Sequence, residues 1–242
     1  MQSRTSSSSR VFRGGGPFKE GLKRQRIELS LPLIAATDLD DWPGGVRQQF
    51  KAIQPLVEQI LKLVKQVDGL QGPLVPEIWD DGDAVACWRS QNLAAVVFPT
   101  AQTLKRVKQL AEGPDAPSLL LIINPQWDER GSDFGFGPWR REKEETAAMF
   151  QTTYWLRQQR VYGDLVRVFR AHPGLWQAYV GQAFAGGASG GPTELLLELP
   201  VRPSYQQIED KLRAMPEASI NKSIMERMDR EFKFNKDSLN RK

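Results

Sequence analysis

Alternation comes first along the chain. In 27–33, IELSLPL, the residues Ile27, Leu29, Leu31 and Leu33 alternate with polar partners, which predicts a half-buried strand with Pro32 near its end. A turn-rich LDDWPGG follows. Val46, Phe50, Ile53, Val57, Ile60 and Val64 then recur at spacings of three and four, one face of a helix of about five turns. Pro55 lies inside that pattern and predicts a kink or a split. Residues 68–83, DGLQGPLVPEIWDDGD, read as a loop. Ala84–Trp88 reads as a short strand, and Leu93–Phe98 as a buried strand closed by Pro99. Thr100–Glu112 reads as a helix with Leu104, Val107 and Leu110 inward and Lys105, Arg106 and Lys108 outward. Leu119–Ile123 is an uninterrupted apolar run stopped by Asn124-Pro125, as in a strand buried on both faces. Strand, helix and strand in so short a compass predict a βαβ unit with a right-handed crossover.

The texture changes after a charged helix at Arg140–Phe150. Segments 152–161, 164–171, 175–182 and 194–199 are four candidate strands separated by Tyr162-Gly163, His172-Pro173-Gly174 and GGASGG at 186–191. They predict an antiparallel meander. A closing helix runs from Ser204 to Ala214, with Ser204 and Gln207 as a capping box and Tyr205, Ile208 and Leu212 as its buried stripe. The expected fold class is therefore α/β: a Rossmann-like βαβ sheet with helices, extended by a C-terminal antiparallel meander and a closing helix. The expected organisation is a tail over 1–18, one domain over 19–218, and a basic amphipathic tail over 219–242. In that last tail Ile220, Ile224, Met228 and Phe232 recur every four residues, which suits docking on a partner or membrane surface as well as packing on its own domain.

Charge sharpens this division. Residues 1–26 hold seven Lys/Arg against one acid, and 219–242 hold seven against four. With a chain total of +4, the body between them stands at −5. A nucleic-acid-binding domain carries its basic patch on the folded body; basic ends on an acidic body point away from that class. The first sixteen residues, rich in Ser and Arg and free of acids, have the composition of an organelle transit peptide, and equally that of a disordered terminus.

The chemistry on offer is limited. Cys87 and His172 are the single cysteine and histidine, so an intrachain disulfide and a Cys/His zinc cluster are both excluded. His172 falls in a turn, and Cys87 reads as a small core residue. No phosphate-binding loop of either common pattern occurs where a strand meets a helix. Asp80, Asp81 and Asp83 have oxygens suited to Mg²⁺ or Ca²⁺ but read as a solvated turn. Asp128 and Asp133 could form an acid/base pair only if the fold brings them face to face. No catalytic residue, metal site or cofactor is assigned.

Four tryptophans, Trp42, Trp79, Trp127 and Trp139, fall in or beside expected loops, where large rigid side chains suit a partner surface. Loops at the carboxyl ends of parallel strands are where such sheets bind. The expected partner surface joins the Trp79–Asp83 loop to the 124–137 loop: Trp79, Asn124, Gln126, Trp127, Asp133 and Phe134.

The ordered set GLKRQRIELSLPL, WDDGDAVACW, LAAVVFPTAQTLKRV, LLLIINPQW, SDFGFG, FQTTYWLRQQRVYGDLVRVFR, AHPGLWQAYV and ELPVRPSYQQIEDKL resembles the DUF1995 family of plastid and cyanobacterial proteins. Within it the chain is most similar to the Low PSII Accumulation assembly factors of chloroplasts. The resemblance covers roughly 20–214 and implies a non-catalytic factor of the chloroplast stroma, peripheral to the thylakoid membrane. Such a factor binds photosystem II chlorophyll-binding subunits or other assembly factors. No catalytic residue is carried over from it. From a different class, a small-molecule or nucleotide-binding enzyme using the strand-end loops and Asp133 stays open.

Overall fold

The computed structural model describes residues 16–31, 45–127, 132–181 and 193–221. Its elements are α1 (Gly16–Lys19), β1 (Arg24–Glu28), α2 (Gly45–Val64), β2 (Val75–Asp80), β3 (Val85–Arg89), β4 (Leu93–Val97), α3 (Leu104–Glu112), β5 (Leu119–Ile123), α4 (Pro138–Ala148), β6 (Gln151–Val161), β7 (Asp164–Ala171), β8 (Trp176–Gly181), β9 (Thr193–Leu199) and α5 (Tyr205–Arg213). Two 3₁₀ turns lie at Ser132–Phe134 and Ser219–Asn221. The strands pair in the order β2-β3-β4-β5-β1-β6-β7-β8-β9, so the class is mixed α/β. Of the described residues, 16–29, 49–127 and 132–154 form one unit, and 30–31, 45–48, 155–181 and 193–221 form the other.

In the first unit β5 is the central strand. It pairs in parallel with β4 on one side and β1 on the other. All five of its residues are buried, as an apolar run without alternation requires. The β4–α3–β5 segment is the expected βαβ unit. Side chains of one face of β3, β4 and β5 (Cys87, Val96, Ile122) pack with Leu104 and Val107 of α3. On the other face Phe50 of α2 stacks on Trp88 and meets Phe98 edge-on. Buried Ile53, Val57, Ile60, Leu61 and Val64 continue that helix stripe. Pro55 lies within α2, which runs unbroken over 20 residues. It lies on the exposed side of the helix, away from the packed stripe.

Two expectations need correction in this unit. The first strand is Arg24–Glu28, not 27–33, and Leu33 lies outside the described residues. Its buried Gln25 amide is paired: Oε1 accepts from Thr153 Oγ1 at 3.1 Å and Nε2 donates to Leu22 O at 2.8 Å. Such pairing is what lets Gln sit inside a sheet. The stretch 68–83, read as a loop, contains β2, which pairs antiparallel with β3. It is an edge strand, and a proline is tolerated only at such an edge.

The end of α3 shows how tightly this unit is closed. Arg24 donates to Ala111 O at 2.7 Å and to Pro117 O at 3.0 Å, satisfying a carbonyl in the last helical turn. Gly113 N–H bonds back to Gln109 O, and a Cβ at Gly113 would stand 2.5 Å from that oxygen. Only glycine fits there.

The second unit is the expected meander. Tyr162 and Gly163, both at positive φ (51° and 91°), form the two-residue turn from β6 to β7. Positive φ at both positions matches the twist of a tight hairpin. β7, β8 and β9 pair antiparallel in sequence. Trp155 and Trp176 meet edge to face at 5.5 Å beneath Ile208 and Leu212 of α5. The capping box is present: Ser204 Oγ accepts from Gln207 N, and Gln207 Oε1 accepts from Ser204 N. Tyr205, however, is exposed and Glu209 takes its place on the buried side, where it pairs with Arg213. GGASGG and the positions Ile224, Met228 and Phe232 lie outside the described residues.

Candidate partner-binding site

The carboxyl ends of β4, β5 and β1 lie side by side, and the chain leaving β5 crosses them. Asn124, at φ 48°, adopts the left-handed conformation that Asn tolerates better than most residues. Its amide accepts from Leu29 N at 2.7 Å and donates to Leu29 O at 2.8 Å. Gln126 Nε2 donates to Phe98 O at 3.0 Å and to Asp83 O at 2.9 Å. The fold therefore ties Gln126 to the β2–β3 turn. Both amides are engaged by backbone and act as latches for the strand ends.

The aromatic residues divide sharply between core and surface. Trp127 and Phe134, expected as contact groups, are only 5 % and 4 % exposed. Their rings lie 5.9 Å apart and pack on Leu104, Val107 and Phe150. A large apolar ring just past a buried strand gains more by closing the core than by facing water. Asp133 is exposed on the 3₁₀ turn. Trp79 lies on β2 rather than in a loop. It is partly buried, with the Arg106 guanidinium 4.3 Å above its ring and its Nε1 donating to Glu77 at 3.1 Å. Arg106 also pairs with Glu77, and that hydrogen bond holds the Glu77 carboxyl below its usual range. Trp42 lies outside the described residues.

What the same segment does present is Phe136, 93 % exposed, and Trp139, 70 % exposed. Gly135 (φ 75°) and Gly137 (φ 92°) flank Phe136. Backbone at those angles is open to glycine and strained for other residues, so the Phe-Gly pairs let Phe136 project while Phe134 stays inside. Pro138 opens α4 and sets Trp139 in its first turn. Lys143 Nζ reaches back to Phe134 O at 3.4 Å. A glycine on each side of an aromatic residue was the available signal in the sequence, and it marks Phe136 rather than Phe134.

The remaining candidates have local roles. Asp80 Oδ1 accepts from Gly82 N and Asp83 N at 2.9 and 3.2 Å, an acidic turn closed on itself. Among the described residues no group of three His, Cys, Asp or Glu is placed to hold a metal ion. Burial pushes the Cys87 thiol up to about 12. No described helix is long and apolar enough to cross a membrane.

No curated protein and no solved structure matches the chain. Residues 12–210, spanning the strand-end latches, the aromatic segment, the meander and most of α5, match the domain of unknown function DUF1995, and the chain belongs to that family.

Proposed function

We propose that this chain is a non-catalytic assembly factor of the chloroplast stroma, able to touch the thylakoid surface, that binds photosystem II chlorophyll-binding subunits or other assembly factors. The observation that carries the binding role is the pair Phe136 and Trp139, exposed on a segment whose base, Trp127 and Phe134, is buried. Exposed aromatic residues on a fixed base form an interaction hot spot, because a rigid ring loses little entropy when it is covered. The photosystem reading draws on the ordered motifs from GLKRQRIELSLPL to ELPVRPSYQQIEDKL, and the Ser/Arg-rich start supports plastid import.

The test is an affinity capture of the tagged protein from solubilised thylakoids and from stroma, with retained proteins identified by mass spectrometry. The wild-type chain is expected to retain photosystem II subunits or assembly factors, and a Phe136→Ala/Trp139→Ala chain to lose them. Recovery of soluble metabolic enzymes alone would overturn the assembly role. Undiminished recovery by the double variant would overturn the surface.

A further inference from the structure

The strand β2 ends the sheet on one side, and among the described residues nothing pairs with its outer edge. Its side chains do not hide it: Val75 is 65 % and Ile78 62 % exposed. Two open grooves adjoin it, both bordered by Pro76. The groove on the α2 face, of about 520 Å³, has an apolar floor of Leu61, Leu74, Pro76 and Trp88. The other, of about 700 Å³, has a mixed lining: the polar Glu77, Arg89, Ser90 and Asn92 stand beside the apolar Val75 and Pro114.

Unpaired main-chain groups beside one apolar groove and one of mixed polarity suit an extended chain whose side chains alternate between them. Pro76 decides which kind. A proline in an edge strand turns its nitrogen side away from the neighbouring strand. The outer edge then offers the carbonyl of Pro76 and both the N–H and the carbonyl of Ile78. Pairing β2 with the β2 of a second copy would set two prolines in one short ladder, with a bond lost at each. A foreign strand meets only one. The bulge between Ile78 and Asp80 shortens the usable edge further and works against self-association in the same way.

Charge narrows the occupant. Lys62 and Lys65 stand on the rim of the apolar groove against Glu58, and neither lysine makes an ion pair among the described residues. We propose that the outer edge of β2 is a strand-addition site for an extended segment of another protein, apolar toward α2, polar toward the other groove, and carrying a carboxylate that meets Lys62 and Lys65. This site is separate from the Phe136 and Trp139 surface and does not depend on it.

The probe is a fluorescein-labelled peptide, Asp-Leu-Thr-Leu-Thr-Val-Asp, titrated into the full chain with anisotropy and amide hydrogen exchange as readouts. Saturable binding is expected, with slower exchange at Ile78. The Lys62→Glu/Lys65→Glu chain is expected to bind about tenfold more weakly, equivalent to about 1.4 kcal/mol. The same peptide methylated at every main-chain nitrogen is expected not to bind. Absence of saturable binding would overturn the site. Equal binding of the methylated peptide would overturn strand addition, and no loss in the charge-reversed chain would overturn the acidic occupant. A dimer of the chain alone with Ile78 already protected would assign the edge to a second copy instead.

Discussion

Asn124 and Leu29 pair as if they were opposite residues in a sheet, although only one of them contributes backbone. The Asn124 amide both accepts from and donates to Leu29, at 2.7 and 2.8 Å, one residue beyond the ends of β5 and β1. The parallel ladder is thus prolonged by a side chain at the point where β5 must turn away. Asn124→Ala leaves both Leu29 groups unpaired, and each part-buried group left without a partner costs about 1–3 kcal/mol. Urea denaturation is expected to show a loss of about 2–6 kcal/mol on that basis. Asn124→Asp, which retains only the accepting half, is expected to fall between that variant and wild type. Equal stability of all three chains would refute the latch.

Trp127 and Phe134 are core residues, and their removal is expected to act on folding before it acts on binding. Trp127→Ala or Phe134→Ala should cost about 3–5 kcal/mol, the usual range for emptying an aromatic site in a core. A cooperative melt unchanged from wild type would show that the rings are not packed as described.

The opposite pattern is expected at the surface. Phe136→Ala and Trp139→Ala remove side chains that are mostly in water, so stability should stay within about 0.5 kcal/mol. Partner retention should fall in the same proteins. Calorimetry and capture on one preparation separate the two effects. A large stability loss would place these rings in the core and sink the surface.

Cys87 gives a pH dependence with a defined sign. Burial raises its folded pKa from 9.0 to about 12, so the folded chain holds the proton more tightly than the unfolded chain. Its contribution is complete below about pH 9 and is lost as pH rises through about 12. The stability difference between wild type and Cys87→Ala should therefore shrink across that window. At neutral pH a thiol reagent should label Cys87 only after unfolding, since the thiolate is the reactive form. Rapid labelling of the native chain would contradict its burial.

In the second unit Asp164 holds the turn after α5. Its carboxylate accepts from Ser219 N at 2.6 Å and from Ser219 Oγ at 2.8 Å, in a buried setting. Asp164→Ala is expected to loosen 215–221, at a cost of about 1–3 kcal/mol for the unpaired donors. Limited proteolysis should then cut that stretch sooner than in wild type, whereas an unchanged cleavage rate would argue against the clasp.

Local chemistry was enough for much of this fold. Leu119–Ile123 is an apolar run that only a doubly covered strand can bury, and it is β5. Ser204 and Gln207 cap a helix through bonds within four residues, and the two-residue Tyr162-Gly163 turn fixes a hairpin. The stripe from Ile53 to Val64 likewise names its own buried face. The edge strand β2 was not readable in this way, because VPEIWD is largely exposed and holds a proline; what makes it a strand is its partner β3. The start of β1 was missed for a related reason: the buried Gln25 finds its partner in Thr153, distant in sequence.

Among the residues expected at the binding surface, the sequence did not give the direction of each ring. Trp127, Phe134, Phe136 and Trp139 are all large and apolar, and composition alone treats them alike. Packing on α3 takes the first two inward, while the left-handed glycines at 135 and 137 and the first turn of α4 leave the other two outside. Periodicity and capping are properties of neighbours along the chain, so the sequence by itself determined them. Which aromatic is core and which is surface depends on contacts between distant segments, and only the tertiary structure decided it.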